Sequence, residues 1–119
     1  MARVAIKNKE LVIKVEGGRK LLTAKSEIVI PLENVLSASA QPITWTDVPS
    51  VFDFNKGTNL PGFYFGGTFI QDGNKVFYDL ARKEDALTIT LKDETFKQLI
   101  IGVNNPTEVA GQIQTALQN

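Results

Sequence analysis

The chain contains no cysteine and no histidine among its 119 residues. Without cysteine there is no disulfide framework, no thiol nucleophile and no thiolate zinc site. Without histidine the usual neutral-pH general base, Ser-His-Asp chemistry and most transition-metal sites are gone. An enzyme built from what is left would need carboxylates, lysine or tyrosine alone. Net charge is missing too: thirteen Lys+Arg balance thirteen Asp+Glu, which speaks against a nucleic-acid binder. The longest uncharged stretch, residues 57–71, holds four glycines and a proline and falls short of the ~20 apolar residues of a spanning helix. Residues 1–10 carry four charges instead of the apolar centre of a signal peptide. The expectation is a cytoplasmic protein with peripheral membrane contact at most, without cofactor or metal.

What is present is an ordinary globular composition, 43% hydrophobic and 22% charged, too apolar for a disordered chain. The length fits a single domain, residues 1–119, burying roughly two-thirds of its unfolded surface. Strands are expected over about residues 3–103. Leu11, Ile13 and Val15 alternate with Val12, Lys14 and Glu16, the pattern of a half-buried strand. Gly17-Gly18 then reads as the first hairpin turn, with Leu21 to Ala24 beginning the return strand. Glu27 to Leu32 is the next strand, where Pro31 predicts a bulge or an edge position. Val35 to Ser39 reads as its bent continuation. Residues 41–59, with Pro42 and Pro49, read as a long loop. Phe63 to Ile70 and Lys75 to Ala81 flank Asp72-Gly73-Asn74, a short-hairpin signal. Leu87, Ile89 and Leu91 alternate with Thr88, Thr90 and Lys92, and Phe96 to Val103 follows a polar turn.

The period changes once. Asn105-Pro106-Thr107-Glu108 sets a capping residue, a proline at the first helical position and an acid in the first turn. Val109, Ala110, Ile113, Ala116 and Leu117 then form one apolar stripe. A helix over residues 106–117 is predicted, with Gly111 packed closely on the sheet. The expected core is led by Leu11, Ile13, Ile28, Ile30, Leu87, Ile89, Leu91, Ile101, Ile113 and Leu117.

This order, about seven short strands and one capped helix, is mainly β with a C-terminal α-helix. It resembles the pleckstrin-homology-like (PH-like) superfold, and more specifically the small uncharacterised bacterial proteins with a PH-like domain. The resemblance is carried by Ile30-Pro31-Leu32-Glu33-Asn34-Val35, Leu60-Pro61-Gly62, Gly66-Gly67-Thr68-Phe69, Phe77-Tyr78-Asp79 and Val103-Asn104-Asn105-Pro106 with its helix. It implies a seven-stranded, partly open barrel capped by the helix. Another small barrel, or a sandwich plus helix, fits the same pattern. The resemblance implies fold and no activity.

Several features bear on function. The glycine segment from Gly57 to Gly67 has neither phosphate-loop spacing nor a following helix, and reads as a turn with a bulge. Phe63, Phe65 and Phe69 are expected on one face of their strand and Tyr64 on the other. Phe77 and Tyr78 must face opposite sides, one of them toward solvent or an interface. Glu84-Asp85 and Asp93-Glu94 read as solvated turns. Residues 1–25 hold seven bases and two acids. Among them Lys14, Arg19 and Lys20 straddle the expected first turn, either as a solvated tip or as an anion site. Lipid-binding PH domains place basic residues there for phosphoinositide headgroups. Trp45, Phe52 and Phe54 either fold back on the domain or mark a protein contact.

The leading expectation is therefore a non-enzymatic binding or assembly module, working through protein–protein contact or self-association as a homo-oligomer. The alternative is a peripheral binder of anionic lipid headgroups, or another anion, through the first hairpin. Self-association would follow most directly if Phe63 to Gln71, free of charge and proline, lay at a sheet edge.

Overall fold

The computed structural model describes residues 1–17, 19, 23, 26–42, 57–60 and 64–119, with 57–60 described by backbone alone. These residues form nine strands and a C-terminal helix. The chain is mainly β, and its strands lie in two separate sheets that do not close into a barrel. The expected seven-stranded barrel is corrected accordingly, and the two-sheet arrangement with a helix is what forms.

The small sheet has the order β1 (Ala2–Lys7), β2 (Glu10–Val15) and β3 (Glu27–Pro31), all antiparallel. Ala2, Val4 and Ile6 alternate with Arg3, Ala5 and Lys7, so β1 belongs to the same period-two pattern. Its hairpin turn is Asn8-Lys9, both at positive φ (52° and 62°), the geometry that matches strand twist in a two-residue turn. The first hairpin therefore precedes the one expected at Gly17-Gly18. Gly17 does adopt a positive φ, but Thr23 is helical and the return strand starts at Glu27. Pro31 ends an edge strand, where its missing N–H costs no ladder bond.

The chain does not bend through Pro31 into one longer strand. A 3₁₀ turn at Leu32–Asn34 carries it to the large sheet as β4 (Val35–Ser39). The remaining strands are β5 (Gly57–Leu60), β6 (Tyr64–Gln71), β7 (Asn74–Ala81), β8 (Ala86–Leu91) and β9 (Gln98–Gly102). The end of the expected 41–59 loop is thus strand, and its residues 43–56 lie outside the described residues. The large sheet runs β4-β8-β9-β7-β6-β5. The β6–β7 hairpin turns at Asp72-Gly73 as expected, both at positive φ. β9 enters between β8 and β7, antiparallel to the first and parallel to the second. β6 is interior, paired on both sides, so it is not the unprotected edge that self-association would have used.

Register fixes the two faces of the large sheet, because paired residues point the same way. Phe77, Leu99, Leu87, Ile89 and Ala38 share the face that meets Leu11, Ile13, Ile28 and Ile30 of the small sheet in one core. Phe65, Phe69, Val76, Tyr78, Leu80 and Ile100 form a second buried cluster on the opposite face. Phe65 and Phe69 do part from Tyr64, while Phe63 lies outside the described residues. Phe77 and Tyr78 do face opposite sides, but both are buried, and neither reaches solvent. Burial pushes the Tyr78 hydroxyl up to about 12, partly offset by its bond to Gln71.

Helix α1 (Pro106–Leu117) packs on β4 and β8 and places Ala110 and Ile113 in the core between the sheets. Nine of the ten expected core residues are buried, and Leu117 packs half-buried against them. Asn105 precedes the helix in the left-handed region, and its side chain does not cap it. Gly111 is exposed, with open space where a Cβ would stand, so it is not a close-packing position. None of the described helices is long and apolar enough to cross a membrane.

These contacts separate two helix substitutions. Ile113→Ala should destabilise by about 2–5 kcal/mol, because it opens a cavity at the sheet–helix junction. Gly111→Ala should instead stabilise by up to about 1 kcal/mol. Urea denaturation measures both.

Candidate functional site

One acid stands on the interior face of the large sheet. Asp79 pairs in register with Gly66 of β6 and Ile101 of β9, and its side chain is fully buried. A carboxylate in that position requires a cation and hydrogen-bond donors. Arg19 supplies the cation from the connection between β2 and β3. Its Nε donates to Asp79 Oδ1 at 2.8 Å, and its Nη2 lies 2.7 Å from the same oxygen. Its Nη1 donates to Glu84 Oε2 at 2.8 Å. The Tyr64 hydroxyl donates to Asp79 Oδ1 at 2.7 Å, and the guanidinium lies 4.6 Å from the centre of the Tyr64 ring. Arg19 is thus held by two carboxylates and an aromatic face at once.

Two glycines make room for this cluster. A Cβ on Gly66 would collide with the Tyr64 hydroxyl, so the absent side chain lets that ring lie along β6 toward Asp79. A Cβ on Gly102 would stand 2.5 Å from Glu84 Oε1. The Ala81 N–H donates to that same oxygen, and the Met1 amino group lies 3.3 Å from Glu84 Oε2. Burial pushes the Glu84 carboxyl up, but the hydrogen bonds from Arg19 and Ala81 and the guanidinium charge outweigh it. The carboxyl is held below its usual range. For Arg19 the two acids and the Tyr64 contact likewise overcome burial, fixing the charged form. Burial, then the neighbouring Asp79, push the Tyr64 hydroxyl well above the usual range. Asp79 Oδ2 has no hydrogen-bond partner among the described residues.

The cluster is an internally matched set of charges that ties the β2–β3 connection to the large sheet. Its groups bond one another. Among the described residues no set of three carboxylates has the arrangement of a metal site. A cavity of about 710 Å³ lies beside it, between β7, β8 and the start of α1, lined by Arg82, Glu84, Asp85 and Glu108 among others. Three acids against one base give this cavity no preference for an anion.

The residues singled out from the sequence are not gathered into one site. Lys14 lies on the outer face of the small sheet, in a row with Arg3 and Glu27. Arg19 turns inward to Asp79 and Glu84, while Lys20 lies outside the described residues. Trp45, Phe52 and Phe54 also lie outside the described residues. Glu84 is not a solvated turn residue but the second acid on Arg19. Glu94 accepts a bond from Asn34 Nδ2 at 2.6 Å. Asp79 and Tyr64 carried one signal that sequence reading passed over: an acid at an inward position of an apolar strand needs a base somewhere in the chain.

Arg19→Met should cost about 3–5 kcal/mol at neutral pH, by leaving a buried acid without its cation. The pH dependence has a definite sign. Glu84 is depressed in the folded state, so its contribution is present above the ordinary glutamate value of 4.5 and is lost as pH falls through the lowered one. In Arg19→Met this acid-side loss shrinks, and the stability gap to the parent narrows toward pH 3. Urea denaturation across pH 3–7 checks this; a constant gap would contradict the account. Comparison with protein-family models, with curated proteins and with solved structures returns no match to this chain.

Proposed function

We propose that this protein is a non-enzymatic binding or assembly module that meets a protein partner through the small sheet. The observation that carries the reading is a division of residues. The polar groups enclosed between the strands, Arg19, Asp79, Glu84 and Tyr64, are spent on one another. Alongside the exposed charges, several large apolar strand residues also face outward, Leu36 at 53%, Val29 at 44%, Ile70 at 38% and Ile6 at 37% exposure. Register places Ala5, Val12 and Val29 in one row across the outside of the small sheet. Arg3, Lys14 and Glu27 flank this row on one side, and Lys7 and Glu10 on the other. An apolar centre within a charged rim is the anatomy of a protein interface.

The headgroup or anion reading draws less support, because Arg19 is already neutralised by carboxylates and Lys14 stands among acids as well as bases. Kinship with bacterial PH-like proteins belongs to the same proposal. A β-rich chain ending in a packed helix supports it, and the parallel β7–β9 pair stands against it.

A photo-cross-linking residue placed at Val29 in the native cell tests the interface. The expected result is a discrete adduct, of doubled mass for self-association or of another mass for a different protein. Labelling no stronger than at exposed Lys83, on the β7–β8 turn, would remove the proposal.

A further inference from the structure

The two flanks of the small sheet are finished differently. Its inner layer holds the buried pair Ala2–Val15 and two apolar rows that cross all three strands, Val4-Ile13-Ile28 and Ile6-Leu11-Ile30. At the β3 flank both rows are closed, with Ile28 8% and Ile30 2% exposed. At the β1 flank they are open: Val4 is half-buried and Ile6 stays well exposed. β1 pairs with β2 on one side only, and among the described residues its backbone makes no other hydrogen bond. The edge of β4 is treated otherwise. Helix α1 packs against it, and Gln114 Nε2 donates to Ala38 O at 3.1 Å.

The outer face of β1 adds a charge signature. Arg3 and Lys7 flank Ala5, and the strand contains no acid. Arg3 pairs with Glu16 at 2.9 Å, but both groups are solvent-exposed, so the pair is readily exchanged. Edge charges deter unwanted strands, and two bases deter basic strands while favouring acidic ones. A second copy of β1 is a poor occupant of the register that aligns both charged pairs. Antiparallel pairing over Arg3–Lys7, centred on Ala5, would set Arg3 against Lys7 twice, and like charges directly opposite destabilise a sheet.

We propose that β1 accepts an extended segment of another protein as a fourth strand of the small sheet, with the pattern acidic, apolar, any residue, apolar, acidic. The proposal rests on the binding-module reading and names its partner. Carboxylates four residues apart face Arg3 and Lys7 on the outside, because alternate strand residues share a face. The two apolar residues between them face inward, opposite Val4 and Ile6, and complete the open rows. Main-chain bonds to β1 supply the affinity and the side-chain pattern the selectivity. The pattern is symmetric, so either strand direction satisfies it.

The test uses an end-blocked peptide, Ser-Glu-Val-Thr-Val-Glu-Ser, and its analogue with both glutamates replaced by lysine. Amide shifts of the full chain and fluorescence anisotropy report binding. The acidic peptide should perturb Ala2–Lys7 and weaken with added salt. The double variant Arg3→Glu, Lys7→Glu, with its fold checked by thermal melting, should lose about tenfold in affinity for the acidic peptide. The variant should come to prefer the lysine analogue. Should the variant not fold, the parent's choice between the two peptides decides alone. No shift at Ala2–Lys7 up to about 1 mM peptide, or equal affinity for both peptides, overturns the proposal. Self-association without peptide binding also overturns it, yet leaves the binding-module reading intact. Peptide binding with no cross-linking at Val29 supports the edge site and sinks the face interface instead.

Discussion

Asp79 is the constraint on which much of the rest depends. A carboxylate on the interior face of a sheet is costly unless a cation reaches it. Arg19 comes from a connection sixty residues away in sequence. Their pairing pins the β2–β3 connection against the large sheet and so helps set how the two sheets face each other. Tyr64 lies flat over Gly66, Glu84 fits against Gly102, and both complete the shell around the guanidinium. The cluster is weak as a source of net stability, since the desolvation of its charges offsets much of their attraction. Its effect is on specificity, because few other arrangements of these strands would leave both charges paired.

This use of charge also bears on what the protein can do. Arg19, Asp79 and Glu84 are committed to one another inside the fold, whereas Arg3 and Lys7 of β1 remain exposed. Two open sheets have edges that a closed barrel would lack. Helix α1 and Gln114 cover the β4 edge, whereas β1 stays open with its inner rows incomplete. The asymmetry between the two flanks of one three-stranded sheet is what turns an edge into a candidate binding surface.

Local chemistry was legible wherever it decides structure over a few residues. Asn105-Pro106 followed by an apolar stripe specifies a helix, and Asp72-Gly73 specifies a hairpin. The alternation from Leu87 to Leu91 marks a strand with one buried face. β1 obeyed the same alternation but was hidden by its charges and by a turn, Asn8-Lys9, that contains no glycine. Asp79 was visible as an anomaly, an acid inside an apolar strand, without any hint of which base would answer it.

Periodicity and allowed backbone angles were enough to specify the β-rich class, the terminal helix, most core positions and the hairpin at Asp72-Gly73. Long-range packing had to settle that β9 enters beside β7, that a 3₁₀ turn passes the chain between sheets, and that Arg19 turns inward. A period of two tells which face a residue takes and nothing about which strand lies next to it. Neighbours are chosen by burying complementary faces and pairing charges across the whole chain. That choice left Ile6 exposed and Asp79 enclosed.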